Sequence, residues 1–462
     1  MWIKRLATAA CILITILFYS SASFADTPSC SASKDWITSP NPPSEVPNGK
    51  SADFCDFYQF SWQWFFYLTS KPEGHSERRF QMAEQFPILE GSNKDSCDSQ
   101  APQHEFFVRT TKEHKPDGSF VLPERIHQAG RNQATIYDQQ GNVVFYGIRF
   151  SRNLCNVGKI QSQDQYPSGT TELKTAWRVI KPQHKDRYFS MEADIEGLKG
   201  KQLLGLIGFH LVRATDLHPE FVWSTFEHRD NAPDCTNPQS TPEPGWSFTS
   251  AECASALASG NKDKCPFNKA NTSKSLTGKP TEICRLYRDG TQKGDHKSNI
   301  NFQVVDSLNT QLHKMLSQLD KDHSMSVWKH YMNVGALWEN DTSKPSSVTK
   351  NQRGSMRLAN TVMETTFQDV HLNKGFTSNC FGCHSYKGDQ VNTSPYASLS
   401  HSFDDIIEGQ CSPTEVKAGP IWSKTDAVKK CAETCRDKGG WNGQWRTTKP
   451  GQMSVCACCD VK

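Results

Sequence analysis

Apolar and polar positions change texture several times along this chain, and each change predicts an element. From Phe54 onward, Phe57, Tyr58, Phe60, Trp62, Trp64, Phe65, Phe66 and Tyr67 crowd into one stretch, which predicts a helix buried on most of its surface. Residues 142–150, 171–180, 203–212 and 221–227 are rich in β-branched and aromatic side chains and bounded by Gly, Pro or Asn, so they predict strands. Across 303–319, Val304, Val305, Leu308, Leu312, Met315, Leu316 and Leu319 recur at helical spacing and predict an amphipathic helix. Residues 331–338 read as a further strand, and 353–370 as a helix leading into a loop at Gly375. The stretches between are polar: 26–50 is an irregular lead-in, and 230–300 is loop-like, with Cys235, Cys253, Cys265 and Cys284 as staples. No internal repeat is present.

The first 25 residues carry a different signal. Lys4 and Arg5 precede an apolar run from Leu6 to Phe24, and Ser23 and Ala25 are small residues where a signal peptidase reads, which predicts cleavage before Asp26. An uncleaved anchor is the competing reading, since the run is near the length that spans a bilayer. No later segment is long and apolar enough to span, so no stable membrane span is expected after cleavage. Losing Lys4 and Arg5 takes the formal charge from +3 to +1, which gives no reason to expect nucleic acid as a partner. Of 17 cysteines, 14 remain once Cys11, Cys380 and Cys383 are set aside, an even number that suits disulfides in an oxidising compartment. The expected location is periplasmic or secreted.

Cys380-Phe381-Gly382-Cys383-His384 carries the candidate chemistry. Two thiols three residues apart can each add across a vinyl group of one porphyrin, and the following histidine is placed to bind the iron. The motif therefore predicts one covalent haem c, with Cys380 and Cys383 as attachment points and His384 as proximal ligand. A disulfide-bonded CxxC loop with an incidental histidine is the alternative, and a zinc site fits less well because structural zinc takes four ligands. The sixth iron position decides the chemistry: Met favours electron transfer, a second His lowers the potential, and an open site permits substrate chemistry. After His384 only Met453 occurs, in a different segment. Met363 and His401 are the two leading candidates, followed by Met356, His371 or no protein ligand. His210, His218, Glu227 and His228 near strand ends are candidates for a second metal site or an acid–base pair, but no two have a recognised ligand spacing.

The last fifty residues form a separate unit. Residues 426–436 predict a helix capped by Ser423 or Thr425, and 444–448 and 453–458 predict two strands around Pro450-Gly451. Cys431 and Cys435 lie on one helical face, and Cys456 and Cys458 on one strand face, so two helix-to-strand disulfides are expected. Cys411 with Cys459 is a looser third pair.

Two resemblances add to this reading. Residues 60–69, 171–178, 218–228, 334–338 and 358–364 resemble a bacterial family of exported cytochrome c proteins, over roughly residues 54 to 405. That resemblance implies the haem and favours Met363, which lies in one of the matching blocks, but implies no particular reaction. Ala418-Gly-Pro-Ile-Trp-Ser423, Gly443-Gln-Trp-Arg-Thr447 and Met453-Ser-Val455 resemble the cyanobacterial mannan-binding lectin domain. Its relatives bind the mannose-rich core of N-glycans in a shallow groove, which implies a mannose-containing glycan as partner. The matching positions are Trp422, Ser423, Gly443, Gln444, Trp445 and Thr447, of which the two tryptophans alternatively form the small core. The cysteine set departs from that lectin.

The expected fold is α+β. A signal peptide (1–25) and lead-in (26–53) precede a β-rich body with helices (54–324), a late helical haem c segment packed on it (325–410), and a disulfide-stapled lectin-like module of one helix and short strands (411–462). The expected function is electron transfer by an exported monohaem cytochrome with a glycan-binding module and a redox partner that the sequence does not identify. Two alternatives are a haem oxidoreductase acting on a sugar or peroxide, and a glycan-binding adhesion protein with structural haem.

Overall fold

The computed structural model describes residues 30–82, 84–86, 134–152, 168–195, 200–271, 277–290, 300–341, 351–368, 379–384, 386–387, 390–391, 413–436, 438 and 441–459. The expected signal peptide, Cys411, His371 and His401 lie outside them.

A seven-stranded antiparallel sheet organises the body. Its strands are β1 (Phe145–Phe150), β2 (Thr171–Val179), β3 (Ser190–Asp194), β4 (Lys201–Arg213), β5 (Val222–His228), β6 (Tyr331–Glu339) and β7 (Gln352–Gly354). They run in the order β1-β2-β4-β5-β6-β7, with β3 pairing on β4. β6 and β7 come from beyond residue 325 yet complete this same sheet.

β5 shows how the sheet is buried on both sides. All seven of its residues are buried. Phe226 stacks on Phe65 with ring centroids 4.1 Å apart, and Ser224 hydrogen-bonds Ser61 at 2.6 Å, so these alternate residues face helix α2 (Phe54–Thr69). Trp223, Thr225 and Glu227 point to the other face, where they meet Phe381, Asn360 and Thr361. This alternation is the two-residue period of a strand expressed in contacts.

Helices close the first face. α2 starts at a reciprocal cap, Asp53 accepting from Asp56 N–H while the Asp56 carboxylate accepts from Asp53 N–H. Its aromatic crowd enters the main core, where Phe65 and Trp62 meet Phe226 and Phe65 also meets Phe209. Truncating a buried ring such as Phe65 costs about 3–5 kcal/mol. Beside it, α4 (Ile300–Ser317) buries Val304, Val305, Leu308, Leu312 and Leu316 in the same cluster. The lead-in joins this core through Cys30, Ile37 and Val46, with a four-residue helix α1 (Asp35–Thr38) and the Cys30–Cys55 disulfide.

Two sequence expectations are corrected. Of the helix expected over 353–370, the described residues 353–368 are not helical: β7 is followed by turns and one 3-10 turn at Thr365–Phe367. Local turns such as Glu364 N–H on the Asn360 carbonyl remain, but key polar groups bond the sheet, with Thr361 N–H and Oγ1 on the Glu227 carboxylate and Asn360 Nδ2 on Thr225 Oγ1. Residues 230–300 are not all loop. Ser250 caps a helix α3 (Ala251–Ala258) there by accepting from Cys253 N–H, and Cys253–Cys265 and Cys235–Cys284 staple the region.

The C-terminal module has its own small core. β10 (Pro413–Gly419), β11 (Trp441–Lys449) and β12 (Met453–Cys459) form a sheet in the order β10-β12-β11, covered by α6 (Lys424–Cys435). Disulfides Cys431–Cys456 and Cys435–Cys458 join helix to strand as the periodicity predicts. The fold is thus mixed helix and sheet with a small disulfide-rich C-terminal module. Among the described residues no helix is long and apolar enough to cross a membrane.

Candidate functional site

The motif 380–384 lies on the sheet face opposite α2 and α4. It forms the short helix α5 (Cys380–His384), followed by a β8 (Tyr386–Lys387) and β9 (Gln390–Val391) hairpin. Asn379 caps this turn, its Oδ1 accepting from Gly382 N–H at 2.9 Å and its backbone carbonyl from Cys383 N–H. The same amide donates to Gln352 Oε1 at 2.8 Å and to the Met356 carbonyl at 3.0 Å. One side chain therefore shapes the motif and ties it to the end of the sheet.

Beneath the motif is an apolar seat. Phe381 is fully buried with Phe150, Val212, Trp223, Leu337 and Leu358, and Cys380 packs on this cluster. Trp223 is the contact to the histidine: its ring centroid lies 4.7 Å from that of His384, and 5.9 Å from that of Phe381. Cys380 and Cys383 both stand as thiols, not as a disulfide. Burial, with the nearby Glu364 carboxylate, pushes the Cys380 thiol well above its ordinary value, which makes it a poor nucleophile.

Strand register explains which other candidates share this face. Phe150, Glu172, Val212, Trp223 and Leu337 are consecutive partners across five strands. Two residues along, Ile148, Lys174, His210 and Thr225 form the next row, and beyond it come Tyr146, Ala176 and Gly208. The motif covers the first row. His210 in the second row bonds Glu364 Oε1 through Nε2 at 3.0 Å, with Lys174 Nζ 3.7 Å from the same oxygen. Burial alone would raise the Glu364 carboxyl, but His210 and Lys174 hold it at about 2.

Met363, in the turns after β7, packs over the third row. It is fully buried in a different cluster from Phe381, with Tyr146, Ala176, Ile207 and Val362. Its methyl closes over Gly208, where an added Cβ would meet Cε at 3.0 Å. The structure therefore does not bring Met363 into the cluster that seats the motif.

The remaining titratable candidates also part company. His218 Nδ1 pairs with Glu220 at 3.0 Å, and burial raises the Glu220 carboxyl. Glu227 binds the buried Arg285 at 2.8 Å. His228 is buried against Tyr188 at 4.1 Å and held at about 3 by loss of solvent. Among the described residues no group of three or more His, Cys, Asp or Glu is placed to hold a metal ion.

In the C-terminal module the lectin-like positions divide by role. Ser423 is the α6 cap, its Oγ accepting from Asp426 N–H at 3.1 Å. Trp445 packs partly buried on the cysteine core, beside Trp441. Trp422 does the opposite, at 72 % exposed. Its indole lies over the β11–β12 turn, where Gly451 has φ +70 and an added Cβ would sit 3.4 Å from the ring. Thr447 is exposed on β11, which also carries Gly443 and Gln444. Trp422 thus offers an aromatic face to solvent, and the exposed Thr447 carries a hydroxyl 3.4 Å from Ser454 Oγ, two group types that sugar recognition uses.

Sequence reasoning missed Asn379 and Trp223. Asn379 had a local signal, since Asn stands three residues before Gly382, the spacing of a cap. Trp223 had none, because only register sets it beneath the motif.

Comparison with known proteins gives one family match: the model of the mannan-binding protein family matches residues 424–458. That stretch runs from α6 to β12 and includes both module disulfides. No curated protein and no solved structure matches the chain. The C-terminal module is therefore lectin-like.

Proposed function

We propose that this chain is an exported monohaem c-type cytochrome that transfers electrons and carries a C-terminal module for mannose-containing glycans. The observation that carries the haem reading is the seating of the motif: Cys380 and Cys383 as thiols on one helical turn, with His384 at its end against Trp223. The residues fit the group. Cys380 and Cys383 are thiols three residues apart, and the buried side chains of Trp223, Phe381, Val212 and Leu337 give the motif an apolar backing. When bound, haem supplies a one-electron redox centre. Cys380 and Cys383 would anchor it, His384 would hold the iron from one side, and Trp223 orients the His384 ring.

The glycan reading is supported by the family match and by the exposure of Trp422. The disulfides found in both parts of the chain suit an oxidising compartment, which agrees with export. Two measurements on the purified full chain test the proposal. The pyridine haemochrome spectrum with intact mass should give one covalently bound haem, and a glycan array should show mannose-containing glycans bound. Absence of covalent haem from protein matured in the periplasm overturns the cytochrome reading, and an empty array overturns the lectin reading.

A further inference from the structure

We infer that Met356, rather than Met363, is the protein's sixth ligand to the iron, an assignment that rests on the haem reading above. Met356 is partly buried and packs on the same apolar cluster as Cys380 and Phe381. Its turn is held from two sides. Asn379 Nδ2 donates to the Met356 carbonyl while Asn379 Oδ1 shapes the motif helix, so one side chain fixes this turn relative to the motif. Ser355, fully buried, donates its N–H to the Ala336 carbonyl at 2.7 Å and meets the Tyr58 hydroxyl at 3.0 Å. The backbone at 355–356 is thereby fixed, while an unbranched thioether on a turn keeps rotamer freedom to approach a ligand.

Among the described residues, the other donors on this face are placed less favourably. Met363 is fully buried in a separate cluster with its methyl over Gly208, and withdrawing it would open a hole two strand rows away from the motif. His210 has its Nε2 on Glu364, in an ion-paired group shared with Lys174. Met332 also packs on the motif's cluster, but it pairs with Glu227, four residues along β5 from the Trp223–Leu337 pair that the motif covers. A neutral soft sulfur competes for no proton or ion pair here. Thioether opposite imidazole also raises the reduction potential, as electron transfer requires.

The test is the optical spectrum and reduction potential of the purified full-length holoprotein and three variants. Met356→Ala should lose the long-wavelength sulfur-to-iron band and turn high-spin while keeping its covalent haem. Met356→His should stay low-spin without that band and have a lower potential, which a merely structural residue would not produce. Met363→Ala should keep the band. If the band survives in Met356→Ala, or disappears in Met363→Ala instead, the assignment is overturned although the haem reading stands. If the parent protein carries no covalent haem, both fail together.

Discussion

The indole of Trp223 lies 4.7 Å from the imidazole of His384, tilted by 50°, although the two residues are far apart in the chain. A central sheet strand thus forms the seat of the one histidine that follows a CxxC pair. The first prediction follows from this contact. Trp223→Ala empties a buried site and should destabilise the protein by about 3–5 kcal/mol. With the proposed haem on the motif, it should also lower the ratio of haem to protein, while Trp223→Phe keeps most of both. Denaturant unfolding together with absorbance per mole of protein reads the two effects.

Trp422 gives the opposite case. At 72 % exposed it contributes little to the core, so Trp422→Ala should change stability by less than about 0.5 kcal/mol. Loss of an aromatic anchor should weaken glycan binding by roughly tenfold or more. Calorimetric titration with a mannose oligosaccharide reads this, and unchanged affinity would remove Trp422 from the binding surface.

The module disulfides support a core of few apolar residues. Replacing Cys435 and Cys458 together by Ser should cost the module about 2–4 kcal/mol. Calorimetric melting of the full chain should show the module transition shifted down and the body transition unmoved. A shift of both would show that the two parts melt as one unit.

Three histidines, His228 buried and His313 and His330 partly buried, set a dependence on acid. Burial is the main cause that holds His228 at about 3 and His313 and His330 at about 4, whereas an unfolded chain takes up these protons near 6.5. Below that value the unfolded state binds more protons than the folded state, so stability is full above about pH 6.5 and falls as pH drops toward 4. Glu364, held at about 2, adds a second loss below its ordinary carboxylate range. Urea midpoints at about pH 7, 5.5 and 4 should decrease in that order, and a flat series would contradict the neutral burial of these rings.

Much of this was legible in order along the chain. Every relation that the sequence determined is short in sequence or periodic: the CxxCH spacing, the aromatic helix at 54–69, five of the seven strands of the sheet, and the alternation that pairs Cys431 and Cys435 with Cys456 and Cys458. Local backbone geometry repeats every two or 3.6 residues, so side-chain facing within one element can be counted. The same counting misread 353–370 as a helix, because Leu358, Val362 and Met363 have helical spacing while Asn360 and Thr361 spend their hydrogen bonds on strand β5.

Tertiary structure alone decided which distant residues meet. Strand register put Trp223 under His384, placed Met363 over Gly208 in a separate cluster, and distributed His210, His218, Glu227 and His228 among four different partners. Register is set by the fit of whole faces against one another, and shifting it by one residue would turn every side chain to the opposite side of the sheet. No local spacing encodes that fit. The sequence therefore determined the CxxCH motif and its histidine, and packing decided what the histidine rests on.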